Sequence, residues 1–333
     1  MDTLLQILYI SSFKKVEEQI KMKRMKILTK SILFIIILSI CICMVTQILK
    51  PQIPAFYKEK HYDAVFFGTS QSYCSFDPEI FDEYELKTYN RGRQQQTMNY
   101  TYFYIKDALE SCDIDVIVLE IFGMFYEEGD ERFEDADIRD SSLNDFPLSS
   151  VRMEMIQDCV PENLRWSYLF PLDKYHARWQ EFDYSSWSAL YNKALYPYYE
   201  ETDRGYVRIK NEEVCVDDYW SIVFSDVRRE VNENNLNYLE KIYDLCRKKG
   251  VKLLLVKGPL PCYDRVVEET NTVMDWADAH NVGFINYMRQ QDVLEMNFYT
   301  DSSDGGTHLN EKGASRVSRH LAQYLNKYFF MKH

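Results

Sequence analysis

The 333-residue chain has only 11 glycines and 9 prolines, too few for a collagen-like or low-complexity disordered protein. Its eight cysteines contain no Cys-x-x-Cys pair, so the spacing of a structural zinc site is missing. There is no Walker A loop, no Gly-x-Gly-x-x-Gly fingerprint after a strand and no internal repeat, so no nucleotide cofactor is indicated. Basic charge is scarce beyond residue 30. The net charge is −13, yet residues 1–30 carry seven Lys/Arg against three Asp/Glu, which leaves 32 basic and 49 acidic residues, a balance of −17, for the rest. An acidic main domain of this kind is a poor nucleic-acid binder, since phosphate contacts need a basic surface, so no nucleic-acid partner is expected.

What remains is a chain that is 46% hydrophobic and 27% charged, ordinary for a folded protein of one large domain or two modest ones. Its longest apolar run, Ser31–Leu49, has nineteen residues without a charge. As a helix it spans roughly 28 Å, close to the thickness of a bilayer's hydrocarbon core. A thirty-residue leader and the absence of a small-x-small site after Leu49 favour a retained anchor over a cleaved signal peptide. Lys14, Lys15, Lys21, Lys23, Arg24, Lys26 and Lys30 all precede the run, which puts residues 1–30 in the cytoplasm and the main domain, residues 58–333, outside a plasma membrane. Disulfides are permitted in that compartment, but Cys112 and Cys246 fall on apolar faces of predicted helices, where a buried thiol is expected.

Beyond residue 60 strands and helices alternate. Tyr62 to Gly68 reads as a strand, Asp77-Pro78 as the start of a short helix through about Tyr84, and Leu86 to Tyr89 as a weaker strand. Met98, Tyr102, Ile105, Leu109 and Cys112 lie at helical spacing, and Ile114 to Leu119 is a continuous buried strand. A helix through Leu236, Leu239, Tyr243 and Cys246 ends in Arg247-Lys248-Lys249-Gly250. Lys252 to Val256 is a further strand, Arg265 to His280 a helix and Val282 to Tyr287 a short strand. Asn310 caps a last helix whose core face is Ala314, Val317, Leu321, Tyr324 and Tyr328. Such alternation predicts an α/β fold, a flavodoxin-like three-layer sandwich with a mainly parallel sheet.

Function in such sheets gathers at the C-terminal ends of the strands. Ser70 follows the first strand directly, in Gly68-Thr69-Ser70. Asn90-Arg91-Gly92 follows the second strand and Glu120 the third. Asp304-Gly305-Gly306-Thr307-His308 precedes the last helix, so serine, histidine and aspartate are all present for an acyl-transfer triad. Asp301 is the other carboxylate near His308; the two glycines after Asp304 favour Asp304. Ser72 is the local competitor of Ser70. His61, at the far end of the first strand, is a poor base, and His176, His280 and His320 read as structural or solvated. Cys74 has no histidine partner by pattern.

The alternation breaks between about residues 125 and 225. This insertion holds Trp166, Trp179, Trp187 and Trp220, with Tyr191, Tyr196, Tyr198 and Tyr199 in one run. Such rings stack on sugars or fill a core. The acidic stretch Glu127 to Asp140 lacks the ligand order of a calcium loop and reads as solvated.

Gly68-Thr69-Ser70 resembles the Gly-Asp-Ser block of SGNH/GDSL hydrolases, Asn90-Arg91-Gly92 the block with an oxyanion glycine, and Asp304 to Asn310 the closing Asp/His block. The resemblance covers about residues 60–123 and 230–330. It implies Ser70 as nucleophile, His308 as base, Asp304 as its orienting partner, and the Ser70 and Gly92 backbone N–H groups as oxyanion donors. Two departures stand out. The third block has Leu119-Glu120-Ile121-Phe122-Gly123 in place of an asparagine, so Gln94, Gln95 or Gln96 must supply that donor or the chemistry is slower. Asp304 lies four residues before His308 instead of three. An anchor joined to such a domain is similar to the D-alanyl-lipoteichoic-acid transfer and polysaccharide O-acetylation proteins. That likeness implies acylated glycan or teichoic-acid-type envelope polymers as substrate, a membrane-bound O-acyltransferase as partner, and no cofactor. The missing asparagine motivates an alternative, an inactive envelope protein that keeps the fold to bind glycan or assist assembly.

Overall fold

The computed structural model describes residues 2–49, 53–127, 135–144, 146–170, 198–199, 204–210, 225–259 and 264–330. The chain divides into two units, Met1–Lys50 with Phe170–Tyr196, and Pro51–Leu169 with Pro197–His333.

In the first unit the basic segment and the apolar run form one continuous helix, α1 (Asp2–Leu49). No glycine or proline interrupts residues 2–49, so nothing breaks the hydrogen-bond ladder at Lys30. The stretch Glu17–Met44 is long and apolar enough to cross a membrane, and none of it is buried against protein.

The second unit is built on a five-stranded, fully parallel sheet. In chain order its elements are β1 (His61–Phe67), α2 (Ser70–Tyr73), α3 (Pro78–Asp82), β2 (Thr88–Asn90), α4 (Met98–Ser111), β3 (Asp113–Glu120), α5 (Glu233–Lys249), β4 (Lys252–Lys257), α6 (Asp264–Ala279), β5 (Gly283–Asn286) and α7 (Glu311–Leu325). The strand order is β2-β1-β3-β4-β5, the flavodoxin-like arrangement. Registers such as Phe66↔Asn90, Phe67↔Leu119 and Glu120↔Val256 bring the C-terminal ends of β1, β2, β3 and β4 to one edge.

The alternation of side chains explains the three layers. Val65 and Phe67 of β1, Ile117 and Leu119 of β3, and Leu253 and Leu255 of β4 pack beneath α4, α5 and α6. Their neighbours Ala64, Phe66, Val116, Val118, Leu254 and Val256 face α7 and Phe81 of α3. Both faces are dry, at roughly 1.5–3 kcal/mol for each fully buried large apolar side chain. Local signals fix the helix ends. The Asp77 and Asn310 side chains accept from first-turn N–H groups, and Gly250 closes α5 in the left-handed region at φ 73°. Cys246 is a buried free thiol, and Cys112 a half-buried one.

Two expectations change. Leu86 donates its N–H to Phe81 O and closes the turn after α3, so β2 begins only at Thr88. Tyr328 is not a core residue: α7 ends at Leu325, and the wider i→i+5 turns of Asn326–Phe330 shift the phase and leave Tyr328 59% exposed. Of the insertion, the helices Ala136–Asn144 and Ser150–Cys159 contribute Leu143, Val151, Met155 and Ile156 to the core beside α4. Trp166 is 68% exposed. Tyr198–Tyr199 pairs in parallel with Ile53–Pro54. Trp179, Trp187, Trp220, Tyr191, Tyr196, His176, Cys215, Cys262 and residues 128–134 of the acidic stretch lie outside the described residues.

The edge strand β2 is covered by Arg204, whose carbonyl accepts from Asn90 N, and by Gly205 at φ +83°. A Cβ at Gly205 would lie 1.9 Å from Asn90 O, a backbone atom that cannot yield. Gly205→Ala is therefore expected to lower stability by about 1–3 kcal/mol, the usual cost of overpacking. Denaturant unfolding of the full-length protein in detergent checks it; an unchanged midpoint contradicts the close approach.

Candidate active site

Three segments converge beyond the C-terminal edge of the sheet. β1 enters Gly68 at φ +136°, a conformation that side chains rarely adopt, and a Cβ there would meet Glu120 O at 2.7 Å and Glu120 Cβ at 2.9 Å. Thr69 then caps α2: its Oγ1 accepts from Gln71 N at 3.2 Å. Ser70 is the first residue of that one-turn helix, half-buried, and its N–H is a first-turn amide without an intrahelical acceptor.

The loop before α7 meets this turn directly. Gln71 Nε2 donates to Thr307 O at 2.7 Å, and α2 packs on the short strand His308–Leu309. Asp304, in the left-handed region at φ +54°, lies 3.0 Å through Oδ2 from His308 Nδ1. Aspartate tolerates that region better than most residues. Asp301 is committed elsewhere, accepting from Asn297 N and Thr300 Oγ1 and paired with Arg316 at 3.2 Å. His308 Nε2 is buried and has no hydrogen-bond partner, so the bond from Ser70 to His308 is not made in this structure. Such bonds are often long in substrate-free sites and tighten on binding.

Gly92 sits against the same turn, where a Cβ would come within 3.0 Å of Ser72 Cβ and Thr69 O. Its N–H, however, donates to Asn90 Oδ1 at 3.0 Å. Asn90 Oδ1 also accepts from Ser72 Oγ at 3.1 Å, and Asn90 Nδ2 donates to Ser72 O and Phe76 O. Ser72 is thus a fully buried pin, whereas Ser70 is only half-buried. Of the three glutamines, Gln96 is buried with an unpartnered Nε2, Gln95 is half-buried and Gln94 exposed.

The electrostatics separate the groups. Burial, then the negative charge of Asp304, pushes the Cys74 thiol up to about 12, which removes it as a thiolate nucleophile. Burial also raises the Tyr73 phenol to about 12, against a smaller pull from the Ser70 hydroxyl. Glu120 is pushed up to about 7 by burial, opposed by Lys257, by the Phe122 N–H and by Thr69. Lys257 is itself buried and donates to Gly258 O at 2.9 Å. Thr69, Asn90 and Lys257 were not foreseen as site residues. The Asn-x-Gly spacing is a local signal for the Asn90 turn, whereas the partners of Thr69 and Lys257 are remote in sequence.

Of the other described histidines, His280 stacks on Trp276 and bonds its carbonyl, and His320 meets Tyr287 Oη at 3.1 Å. His61, Asp63 and Asp115 place ligand atoms within 4.8 Å of one another at the opposite, N-terminal end of the strands. That exposed trio could hold a metal ion, but it is remote from Ser70.

No protein-family model and no curated protein sequence matches the chain. Among solved structures it is similar to a GDSL-like lipase from Bacteroides thetaiotaomicron, at 11% identity over 81% of this chain and 89% of that one, with a TM-score of 0.36. A likeness at that score carries no argument about activity.

An unfolded glutamate titrates near 4.3 and folded Glu120 at about 7, so the folded chain binds more protons between those values. Stability therefore falls as pH rises through that window. Glu120→Gln removes this pH-dependent loss, because a glutamine does not titrate. Thermal unfolding at pH 5 and pH 8 should show the variant gaining on wild type as pH rises; a parallel pH dependence in both proteins contradicts the raised value.

Proposed function

We propose that this chain is a membrane-anchored serine esterase or O-acyltransferase of the SGNH type, acting on acyl esters of cell-envelope glycan or teichoic-acid-type polymers. The observation that carries the reading is a histidine oriented by Asp304 through Nδ1, with Nε2 buried and unpartnered, on a loop tied by Gln71 to the Ser70 turn. That is the arrangement of an acyl-transfer base awaiting its nucleophile.

In this reading His308 Nε2 removes the Ser70 proton as Ser70 Oγ attacks the acyl carbonyl carbon. The tetrahedral oxyanion is held by the Ser70 N–H and by the Gly92 N–H once Asn90 Oδ1 releases it; the unpartnered Gln96 amide is the available replacement for the asparagine of the third block. His308 then returns the proton to the leaving alcohol, and the acyl group stays on Ser70. Water releases the acid, or a glycan or polymer hydroxyl takes the acyl group, with His308 again the base. Asp304 holds the imidazole tautomer and stabilises its charged form.

α1 supports a single-pass anchor, and its seven basic residues before the apolar run support a cytoplasmic N-terminus with the acidic domain outside. The likeness to envelope acylation proteins supports the substrate class and a membrane-bound O-acyltransferase as partner. A second reading, an inactive glycan-binding or assembly protein, is favoured by the Gly92 N–H being held by Asn90.

A fluorophosphonate probe separates the two. Full-length protein in detergent should take the label on Ser70, Ser70→Ala should take none, and His308→Ala should react at least about 100-fold more slowly, the low end of what a general base contributes. Absence of label on the wild type selects the inactive reading. Acyl release into water against transfer to an added oligosaccharide then divides esterase from transferase.

A further inference from the structure

Glu120 lies in the Leu119–Gly123 stretch at the end of the third strand, and its side chain does not open toward solvent. It is fully buried and fills the volume that a side chain at residue 68 would take: a Cβ on Gly68 would lie 3.1 Å from Glu120 Oε2. Oε1 accepts from Phe122 N at 3.0 Å and Oε2 accepts from Thr69 Oγ1 at 3.2 Å. We propose that Glu120 is a positioning residue for Ser70: its carboxylate fixes the Thr69 hydroxyl that caps the helix beginning at Ser70. The inference rests on the reading of Ser70 as nucleophile.

A threonine hydroxyl has one proton and two acceptor lone pairs. Here the proton goes to Glu120 and one lone pair receives Gln71 N–H, so the Thr69 rotamer is held from both sides. Gln71 extends the chain, because its side chain donates to Thr307 O, next to His308. One path of hydrogen bonds, Glu120 to Thr69 to Gln71 to Thr307, therefore runs past both members of the nucleophile and base pair and sets their separation.

The path needs a carboxylate. Phe122 N–H, Thr69 O–H and the Thr69 backbone N–H all donate to residue 120, which must offer two acceptor oxygens. An ionised glutamate has two, while a glutamine or a protonated glutamate has one acceptor and one donor. Either replacement leaves the Thr69 proton without an acceptor in a dry site, and the cap is then free to rotate. Lys257 from β4 is the charged group that faces Glu120, with the Thr69 hydroxyl from the turn and the Phe122 N–H from the segment after β3; Lys257 favours the ionised form.

The test is the rate of fluorophosphonate labelling of Ser70 as a function of pH, on full-length protein in detergent. Glu120→Gln and Thr69→Val should each slow labelling on the order of tenfold, less than the roughly hundredfold that a misplacement of 1 Å costs. Because both act through one bond, the double variant should be no slower than Thr69→Val alone, where independent effects would multiply. Thr69→Ser keeps the hydroxyl and should stay within about threefold of wild type by the same coupling argument. The acid limb of the profile should lose one ionisation in Glu120→Gln. Multiplying rates, or a Glu120→Gln profile identical to wild type, overturns the proposal. If Glu120→Gln does not fold, the Thr69 pair decides, and equal slowing in Thr69→Ser and Thr69→Val overturns it. A wild type that takes no label at Ser70 refutes the nucleophile reading itself, and this inference with it.

Discussion

Polar groups packed out of reach of water at the end of β1 constrain everything around them. Thr69, Ser72, Asn90, Glu120 and Lys257 are all buried there, and a buried donor or acceptor left unpaired costs about 1–3 kcal/mol. Each must find its partner inside the protein, which explains why the C-terminal ends of β1 to β4 approach so closely. Asn90 uses both ends of its amide, accepting from Gly92 N and Ser72 Oγ and donating to two carbonyls. Glu120 takes Thr69 and the Phe122 amide. Gly68 and Gly92 are glycines because those partners lie where a Cβ would be.

The sheet was legible because its strands are runs of apolar residues buried on both faces. Tyr62 to Gly68, Ile114 to Leu119 and Lys252 to Val256 signal central parallel strands without any knowledge of partners. Helix ends with local chemistry were equally readable: Asp77-Pro78, Asn310 and Lys249-Gly250 satisfy their own backbone within a turn. The motif order also put Ser70 and His308 at one edge. What the sequence did not disclose depends on distance along the chain. Thr69 meets Glu120 across 51 residues, and Gln71 meets Thr307 across 236, so neither bond has a spacing signature. The engagement of Gly92 N–H is local, but a motif that assigns that amide to an oxyanion does not show that Asn90, two residues earlier, accepts it first. Tyr328 was misplaced because a helical period cannot foresee the change to wider turns after Leu325.

The N-terminal helix adds a constraint of length. Its 48 residues extend about 72 Å at 1.5 Å per residue, more than twice the roughly 30 Å of a bilayer core. Only part of it matches a bilayer core in length and polarity, the uncharged run after Lys30. Lys21, Lys23, Arg24, Lys26 and Lys30 fall within about three turns, and long side chains of this kind can extend to headgroups from the first turns of an apolar segment. A continuous helix carries that basic segment straight on from the apolar one.

Three carboxylates near the site illustrate how surroundings assign roles to one chemical group. Asp301 is buried with Arg316, Asn297 N and Thr300 about it, and anchors the loop before His308. Asp304, half open to solvent, is left to the imidazole. Glu120 is buried with Lys257 as its charged neighbour, and burial outweighs that attraction enough to raise its titration to about 7. A core chosen for stability alone would place an apolar side chain at residue 120, since burying a carboxylate is costly even with a partner. An apolar side chain there would leave Thr69 Oγ1–H and the Phe122 N–H without their present acceptor, in the turn that presents Ser70. The destabilising carboxylate and the fixed turn are therefore two consequences of the same packing: Gly68 leaves the space, Glu120 fills it, and the hydroxyl of Thr69 has one place to point.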